Sequence, residues 1–202
     1  APILYKEQNM KLSDIANLQS GLVLNRKEAR SPEETAKVYK RLNLRSLSSY
    51  NEIDHKELDT FPAKGILDQV VLTQPGDIVI KLFTPIFPVV ITEHDAGLVI
   101  PSQLAVIRIF NSEILPQYLR YWLSTPEVSD LLQSLEGWQS QRTIKIGTFA
   151  ELDVPVPSLK EQQIIADMVS TNLRREQLYR SLIDEQNKFT MLNIQRIIGG
   201  KR

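Results

Sequence analysis

Apolar residues are spaced differently in two parts of the chain. Up to residue 157, short apolar runs alternate with turn residues, which is typical of short strands and helices. From residue 158 onward neither Gly nor Pro occurs before Gly199, and apolar residues recur mostly at three- and four-residue steps. This pattern predicts an α+β globular domain at 1–157, followed by a long C-terminal coiled-coil helix at 158–202.

Turn and proline signals predict the strands of the first part. KLSDIANLQSGLVL predicts a short helix or strand that is followed by a strand. GILDQVVLTQPGDIVIKLF predicts two strands that are joined by a turn at Pro75-Gly76-Asp77. AGLVIPSQLAVIRIF predicts a strand pair or one bent strand. GTFAELDVPVP predicts a final strand at a sheet edge, because its prolines cannot donate hydrogen bonds to a central ladder.

Two further segments of the first part predict helices. SPEETAKVYKRLNL starts with Ser-Pro-Glu-Glu, which is typical of a helix N-terminus with acidic residues in its first turn. LPQYLRYWLSTPEVSDLLQSL carries apolar residues at helical spacing. The spacing is interrupted at Thr125-Pro126, where the proline predicts that a second helix begins.

The two parts meet in the segment DVPVPSLKEQQIIADMV. Ser158 and Glu161 form a capping-box pattern, which predicts that a helix starts there. A helix of about 40 residues spans roughly 60 Å and cannot bury its apolar stripe against one small domain, so we expect it to pair with a second helix. The alternative is a helix packed back on its own domain. The residues predicted to form the pairing stripe are Ile165, Met168, Val169, Leu173, Leu178, Leu182, Phe189 and Leu192.

Composition excludes several classes of protein. The 202 residues are 42% hydrophobic, which supports a folded core, and the absence of cysteine excludes a disulfide scaffold or a thiolate metal site. No apolar run is long enough for a membrane span and no leader-like segment opens the chain, so we expect a cytoplasmic protein. Residues 1–157 contain 16 basic and 19 acidic residues, whereas 158–202 contain 8 and 5. Any contact with DNA must therefore come from local basic patches.

Two such patches stand out. The segment 26–45 has a net charge of +4 and contains Arg26, Lys27, Arg30, Lys37, Lys40, Arg41 and Arg45. The segment 137–145, GWQSQRTIK, contains no acidic residue and offers Gln139, Ser140, Gln141, Arg142, Thr143 and Lys145. Long amide and guanidinium donors reach base edges, while Lys and hydroxyl groups contact phosphates. Lys81 and Lys64 are further candidates. The alternative interpretations are a solvated, internally ion-paired face for the first patch and an ordinary polar loop for the second.

Catalytic chemistry has little support in the sequence. His55 and His94 lie in separate acidic segments, and an exposed, hydrogen-bonded loop histidine explains each of them. Asp77 and Lys81 lack a second acidic residue for nuclease chemistry and are interpreted as a turn residue and a strand-edge charge. No glycine-rich phosphate loop or methyltransferase motif is present. We therefore expect no enzyme activity and no cofactor, and a small enzyme that uses His94 is the least favoured interpretation.

Several of these segments, taken in order, resemble one known family. KLSDIANLQSG, LTQPGDIVIKL, VIPSQLAVIRI with ILPQYLRYWLSTP, and LDVPVPSLKEQQIIADMV are similar to successive segments of specificity subunits of type I restriction-modification systems. Members of that family are built from two tandem units, each a target-recognition domain followed by a conserved helix. This sequence has one unit and shows no internal repeat, so it resembles a half-subunit.

The resemblance implies a function and partners. It implies a homodimer, paired through the C-terminal helix, that reads a bipartite inverted repeat in double-stranded DNA. It also implies that the chain recruits a DNA methyltransferase (modification) subunit and a restriction subunit, and has no catalytic activity itself. The alternative is a coiled-coil assembly protein that does not bind DNA, which the negative charge of residues 1–157 favours.

Overall fold

The computed structural model describes residues 8–47, 51–136 and 143–199. Its strands are β1 (Gln8–Lys11), β2 (Ala16–Ser20), β3 (Lys37–Arg41), β4 (Asp59–Ala63), β5 (Ile78–Lys81), β6 (Val89–Val90), β7 (Leu104–Ile109) and β8 (Asp153–Val156). Its α-helices are α1 (Leu12–Ile15), α2 (Pro116–Leu123), α3 (Pro126–Glu136), α4 (Ile146–Ala150) and α5 (Leu159–Gly199). We call the described residues before Pro157 the head, and α5 the arm. The mixed head and the long helix confirm the predicted fold class.

A four-stranded antiparallel sheet, ordered β2-β7-β5-β6, lies at the centre of the head. Because side chains alternate across a strand, Ile78 and Ile80 face one core while Val79 faces another, and all three are fully buried. Helices α2, α3 and α4 cover the first face. Burial on both faces explains why β5 is apolar throughout and does not alternate with polar residues.

Two glycines of the sheet have a specific steric role. A Cβ atom on Gly21 would lie 2.2 Å from the carbonyl oxygen of Pro101, so only glycine allows the chain to leave β2 so close to this neighbour. Gly76 has a φ of +85°, and its N–H donates to the carbonyl of Ile91 at 2.9 Å. The Pro-Gly-Asp turn before β5 is therefore confirmed.

The aspartate of this turn is part of a buried ion pair. Asp77 is 2% exposed, and its two carboxylate oxygens accept hydrogen bonds from Nε and Nη2 of Arg108 in β7, each at 2.8 Å. The same carboxylate accepts the backbone N–H of Gln74 at 2.8 Å, which closes the turn. Asp77 thus has the structural role predicted for it, and Arg108 is the partner that the sequence did not indicate.

The helix predicted for SPEETAKVYKRLNL is wrong. Pro32–Glu34 form a single 3-10 turn, and β3 follows and pairs with β4 in a two-stranded antiparallel ribbon. The acidic residues favour only the first turn, after which the β-branched Val38 and the aromatic Tyr39 favour a strand. Tyr39 is buried against Phe61, and this tertiary packing overrides the helix-start signal.

Other predictions for the head have mixed outcomes. The first of the two strands predicted in GILDQVVLTQPGDIVIKLF is absent, because Gln69–Val71 form a 3-10 turn and Leu72 makes only an isolated bridge to Val99. The restart of the helix at Pro126 is confirmed. Among the described strands β8 pairs only with β1, so Pro155 lies in a two-stranded sheet, as predicted for an edge strand, while Pro157 follows the strand.

The arm is a helix of 41 residues that starts directly after Ser158, where a helix start was predicted. The Ser158 N–H donates to the Glu161 carboxylate at 3.0 Å, and the Glu161 N–H donates to the Ser158 hydroxyl at 3.4 Å, so the capping box is confirmed. Beyond its first turns, which pack on α2, most of the arm is exposed. No helix within the described ranges combines the length and hydrophobicity needed to cross a membrane.

Candidate nucleic-acid interface

Four segments of the chain converge at one end of the central sheet, where β5 ends and β7 begins. The Ile144 N–H donates to the carbonyl of Leu82 at 2.7 Å, and the Gly21 N–H donates to the carbonyl of Leu104 at 2.9 Å. We call this end of the head the loop edge and define it by residues 20–27, 81–82, 101–104 and 143–145. The predicted patch residues Arg26, Lys27, Lys81, Thr143 and Lys145 all lie in these segments.

The loop edge carries positive charge only. It contains four basic residues and no Asp or Glu. Arg26, Lys27 and Lys145 are exposed, whereas Lys81 is half-buried with its Nζ 4.5 Å from the centroid of the Phe87 ring. Burial lowers the pKa of Lys81. An acid-free, basic surface built from loops attracts a polyanion through its local charge, although the head as a whole is acidic.

The β3–β4 ribbon adjoins the loop edge. The Lys64 N–H donates to the carbonyl of Lys27 at 2.9 Å, which joins the end of β4 to the loop edge. Lys37 and Lys40 are exposed on β3, and the Nζ of Lys37 lies 4.9 Å from the centroid of the Tyr39 ring. The first predicted patch is therefore a ribbon rather than a helix face, and it extends the basic surface of the loop edge.

Some cations of the first patch are paired with acidic residues. Arg41 Nε lies 3.3 Å from the carboxylate of Asp59, and Arg45 Nε lies 3.1 Å from that of Glu57. Arg26, Lys27, Arg30, Lys37 and Lys40 form no salt bridge with any residue that the structure describes. The structure thus separates this patch into ion-paired arginines and cations that are available for a ligand.

Part of the second patch lies outside the described residues, namely Gln139, Ser140, Gln141 and Arg142. Thr143 and Lys145 are described and exposed, and Ile144 between them is buried. Because Ile144 is anchored to Leu82, the described part of this patch lies at the loop edge. The contribution of its four polar residues stays a prediction.

The two histidines lie together at a different place in the head. His55 Nε2 is 2.7 Å from Oδ1 of the buried Asp95, and the ring centroids of His55 and His94 are 4.4 Å apart. Burial raises the pKa of Asp95, but hydrogen bonds from Thr92 and His55 outweigh it, so that the pKa is lowered. The Asp95 carboxylate links the turn that contains His55 to the turn that contains His94. This structural role explains why the two histidines lie close together. Among the described residues, no group of three or more potential ligands could hold a metal ion.

The arm presents an apolar stripe to solvent. Ile164 and Met168, and further along Leu178, Leu182, Phe189 and Leu192, follow alternating steps of three and four residues and are 50–68% exposed. The same register passes through polar residues at Thr171, Arg175 and Glu185. By contrast, Val169 and Leu173 are half-buried and line a cavity with Ile86 and Leu123 of the head. Ile165 is also half-buried. The first turns of the arm therefore pack on the head, whereas the stripe is exposed in the single chain, and its pairing with a second helix stays a prediction.

Comparisons with known proteins agree on one family. The model of the type I restriction modification DNA specificity domain matches residues 6–185. The HsdS subunit from Thermoanaerobacter tengcongensis has a TM-score of 0.67 and 15% identity, and the match covers 96% of this chain and 50% of that one. A chain from a structure on the complex assembly and conformational transition of the type I R-M system has a TM-score of 0.62 and 15% identity, with 95% and 45% covered. These similarities show the fold, and this chain spans about half the length of either structure. A search of curated proteins found no match.

Proposed function

Because the chain belongs to the type I restriction-modification DNA specificity family, we propose that it reads the sequence of double-stranded DNA through the loop edge. The observation that carries this proposal is that the loop edge contributes four basic residues from three of its segments, and that none of its segments contains an acidic residue. Electrostatic attraction of phosphates supplies most of the affinity of such a surface, and it depends on salt. At the level of the family, this is a role in recognition rather than catalysis.

We assign the contacts with phosphates and the contacts with base edges to different residues. Arg26, Lys27, Lys81 and Lys145 contact phosphates, together with Arg30, Lys37 and Lys40 on the adjoining ribbon. Gln139, Gln141 and Arg142 supply the long donors that read base edges, and Ser140 and Thr143 supply hydroxyl groups. Arg41 and Arg45 contribute less, because nearby carboxylates already neutralise them.

A two-fold dimer completes the proposed reader. Residues 1–157 form the recognition domain and residues 158–202 the spacer that pairs with a second copy. The exposed stripe on α5 supports this pairing, because a row of apolar residues at steps of three and four is typical of a coiled-coil seam. Two heads related by a two-fold axis would read an inverted repeat with an unread gap. The dimer would recruit the modification (methyltransferase) and restriction subunits in the cytoplasm.

A second candidate function is assembly without DNA. The net charge of −3 on residues 1–157 and the many exposed apolar residues of the arm favour a scaffold that binds only proteins. The two functions differ in their response to salt, because only a reader of DNA releases counterions when it binds random duplexes.

Neutral substitutions on the loop edge test the proposed function. We expect Arg26→Gln, Lys27→Gln and Lys145→Gln each to weaken binding to a duplex and to reduce the slope of log affinity against log salt by about 1, because each removes one phosphate contact. The measurement is a fluorescence anisotropy titration of a random duplex at several salt concentrations.

Lys188→Gln is the matched control for these variants. It removes the same charge from the exposed arm, where Lys188 lies 2.8 Å from Glu185, and we expect it to leave the slope unchanged. If the loop-edge variants keep the wild-type slope, or if the wild-type protein shows no dependence on salt, the loop edge does not bind DNA and the scaffold is favoured.

A further inference from the structure

Arg120 is a buried cation that has no ion-pair partner among the described residues. It lies in α2 and is 7% exposed, and no described residue hydrogen-bonds to its Nε or forms an ion pair with it. Burying a charged group is unfavourable unless a counter-charge and hydrogen bonds compensate for the lost water. Burial lowers the pKa of Arg120, which is the direction expected for an uncompensated cation. By contrast, the two other buried charged residues that the structure describes have partners, Asp77 in Arg108 and Asp95 in His55.

A cavity lined mostly by polar residues, together with Ala166 and Leu173, adjoins Arg120 where the head meets the arm. It has a volume of about 240 Å³, and its walls come from both parts of the structure. Gln117 lies beside Arg120 on α2, while Ser170 and Arg174 lie on α5. The remaining lining residues include Asn51, Glu52 and Gln177. Most of these side chains can donate hydrogen bonds, and two carry a permanent positive charge.

We propose that this cavity binds a single phosphate group, held by the guanidinium groups of Arg120 and Arg174. A phosphate monoester carries about two negative charges and three strong acceptor oxygens, which match two guanidinium charges and the surrounding amide and hydroxyl donors. Arginine presents a planar fork of N–H donors that suits phosphate oxygens. A bound phosphate would contact α2 and α5 at once and so hold the head against the arm.

Glu52 is the one acidic residue of the cavity lining. It is exposed, and its Oε1 accepts a hydrogen bond from Nε2 of Gln177 at 2.9 Å, so it is tied to the arm rather than to Arg120. A carboxylate in this position repels a phosphate. Glu52→Gln should therefore tighten the binding of phosphate, whereas it would weaken the site if Glu52 were the natural partner of Arg120.

The group could come from free phosphate or from the backbone of DNA. Both present anionic phosphate oxygens to the guanidinium groups, although a backbone diester carries one negative charge and free phosphate carries up to two, and the binding of free phosphate does not depend on the proposed reading of DNA. The experiment therefore starts with inorganic phosphate and the full chain. Unfolding temperatures are measured in sodium phosphate and in sodium chloride at equal ionic strength, since a ligand that binds only the native state raises the unfolding temperature.

Phosphate stabilises folded proteins in general as a kosmotropic salt. Beyond that effect, which chloride lacks, we expect a saturable rise in the unfolding temperature of the wild-type protein. Arg120→Met should abolish this rise, and Arg174→Gln should increase the apparent Kd roughly tenfold, because each removes a charge-assisted contact. Without phosphate, Arg120→Met should be at least as stable as the wild type, since it removes an unpaired buried charge. Arg196→Gln, an exposed arm variant, is the control and should respond as the wild type does.

A rise of the same size in Arg120→Met would overturn the proposal, as would a wild-type protein that does not distinguish phosphate from chloride. A second experiment identifies the source of the phosphate. If the site takes a backbone phosphate, saturating inorganic phosphate competes with a duplex and Arg120→Met lowers the affinity for DNA. If it takes a free anion, both measurements leave DNA binding unchanged while the thermal response persists.

Discussion

Replacing Gln162 by methionine is expected to lower the free energy of unfolding by about 3 kcal/mol or more. Gln162 is fully buried at the start of the arm. Its Oε1 accepts the N–H of Leu115 at 2.8 Å, and its Nε2 donates to the carbonyls of Glu113 at 2.7 Å and Pro157 at 2.8 Å. Methionine has a similar shape but leaves three backbone groups unpaired, each at a cost of about 1–3 kcal/mol when it is buried.

The adjacent glutamine supplies the control. Gln163 is exposed, and its amide contacts only Asp167 on the same helix, at 2.8 Å. Gln163→Met is expected to change stability by less than about 0.5 kcal/mol, as is usual for a surface site. Urea unfolding followed by circular dichroism measures both variants. Equal losses of stability in the two variants would show that the hydrogen bonds of the Gln162 side chain do not stabilise the contact between head and arm.

Replacing Leu182 by aspartate is expected to convert the proposed dimer into a monomer. Leu182 is 56% exposed in the single chain and lies in the middle of the stripe between Leu178 and Phe189. In a two-fold pair each chain would place one carboxylate in the apolar seam, and the desolvation of two charges should weaken association by about 3 kcal/mol or more, roughly a hundredfold in Kd. Analytical ultracentrifugation over a range of concentrations measures the change.

Ser181→Asp is the matched variant, because it adds the same charge one residue away, at an exposed position that flanks the stripe and is not part of it. It should leave the dissociation constant within about twofold of the wild-type value, since an exposed charge is solvated in both states. Should Ser181→Asp weaken the dimer as much as Leu182→Asp does, the stripe would not be the interface.

The start of the arm and its length could be predicted from sequence because both depend on residues that are close together in the chain. The capping box at Ser158 and Glu161 lies within one helical turn, and the absence of Gly and Pro before Gly199 is visible along the chain itself. The Pro-Gly-Asp turn was predictable for the same reason, since Gly76 satisfies a backbone requirement of the turn.

The errors and omissions involve partners that are distant in sequence. Ser-Pro-Glu-Glu starts a 3-10 turn rather than a helix, because packing of Tyr39 on Phe61 favours a ribbon. The roles of Arg108 and Gln162 depend on contacts with residues 31 and 47–49 positions away, which no local pattern encodes. Sequence spacing is informative about helix faces and turns, but not about side-chain hydrogen bonds between segments that are distant in sequence.

In the candidate interface, too, the residues could be predicted from sequence, whereas their arrangement in space could not. Arg26, Lys27 and Lys145 were predicted in two separate patches, and Lys81 was predicted as a further candidate. That Lys81 and Lys145 lie at the same end of a sheet follows from strand order and register, which tertiary packing determines. The pairing of Arg41 with Asp59 could be found only once β3 and β4 were aligned.

Selection of duplexes from a random pool by the full chain tests the central claim most directly. The account predicts enrichment of an inverted repeat, two half-sites separated by a gap of constant length and unrestricted sequence, because two heads would be held at a fixed distance by paired arms. Recovery of a single asymmetric site would contradict the dimeric reader, and a pool without any enrichment would contradict sequence reading by this chain altogether.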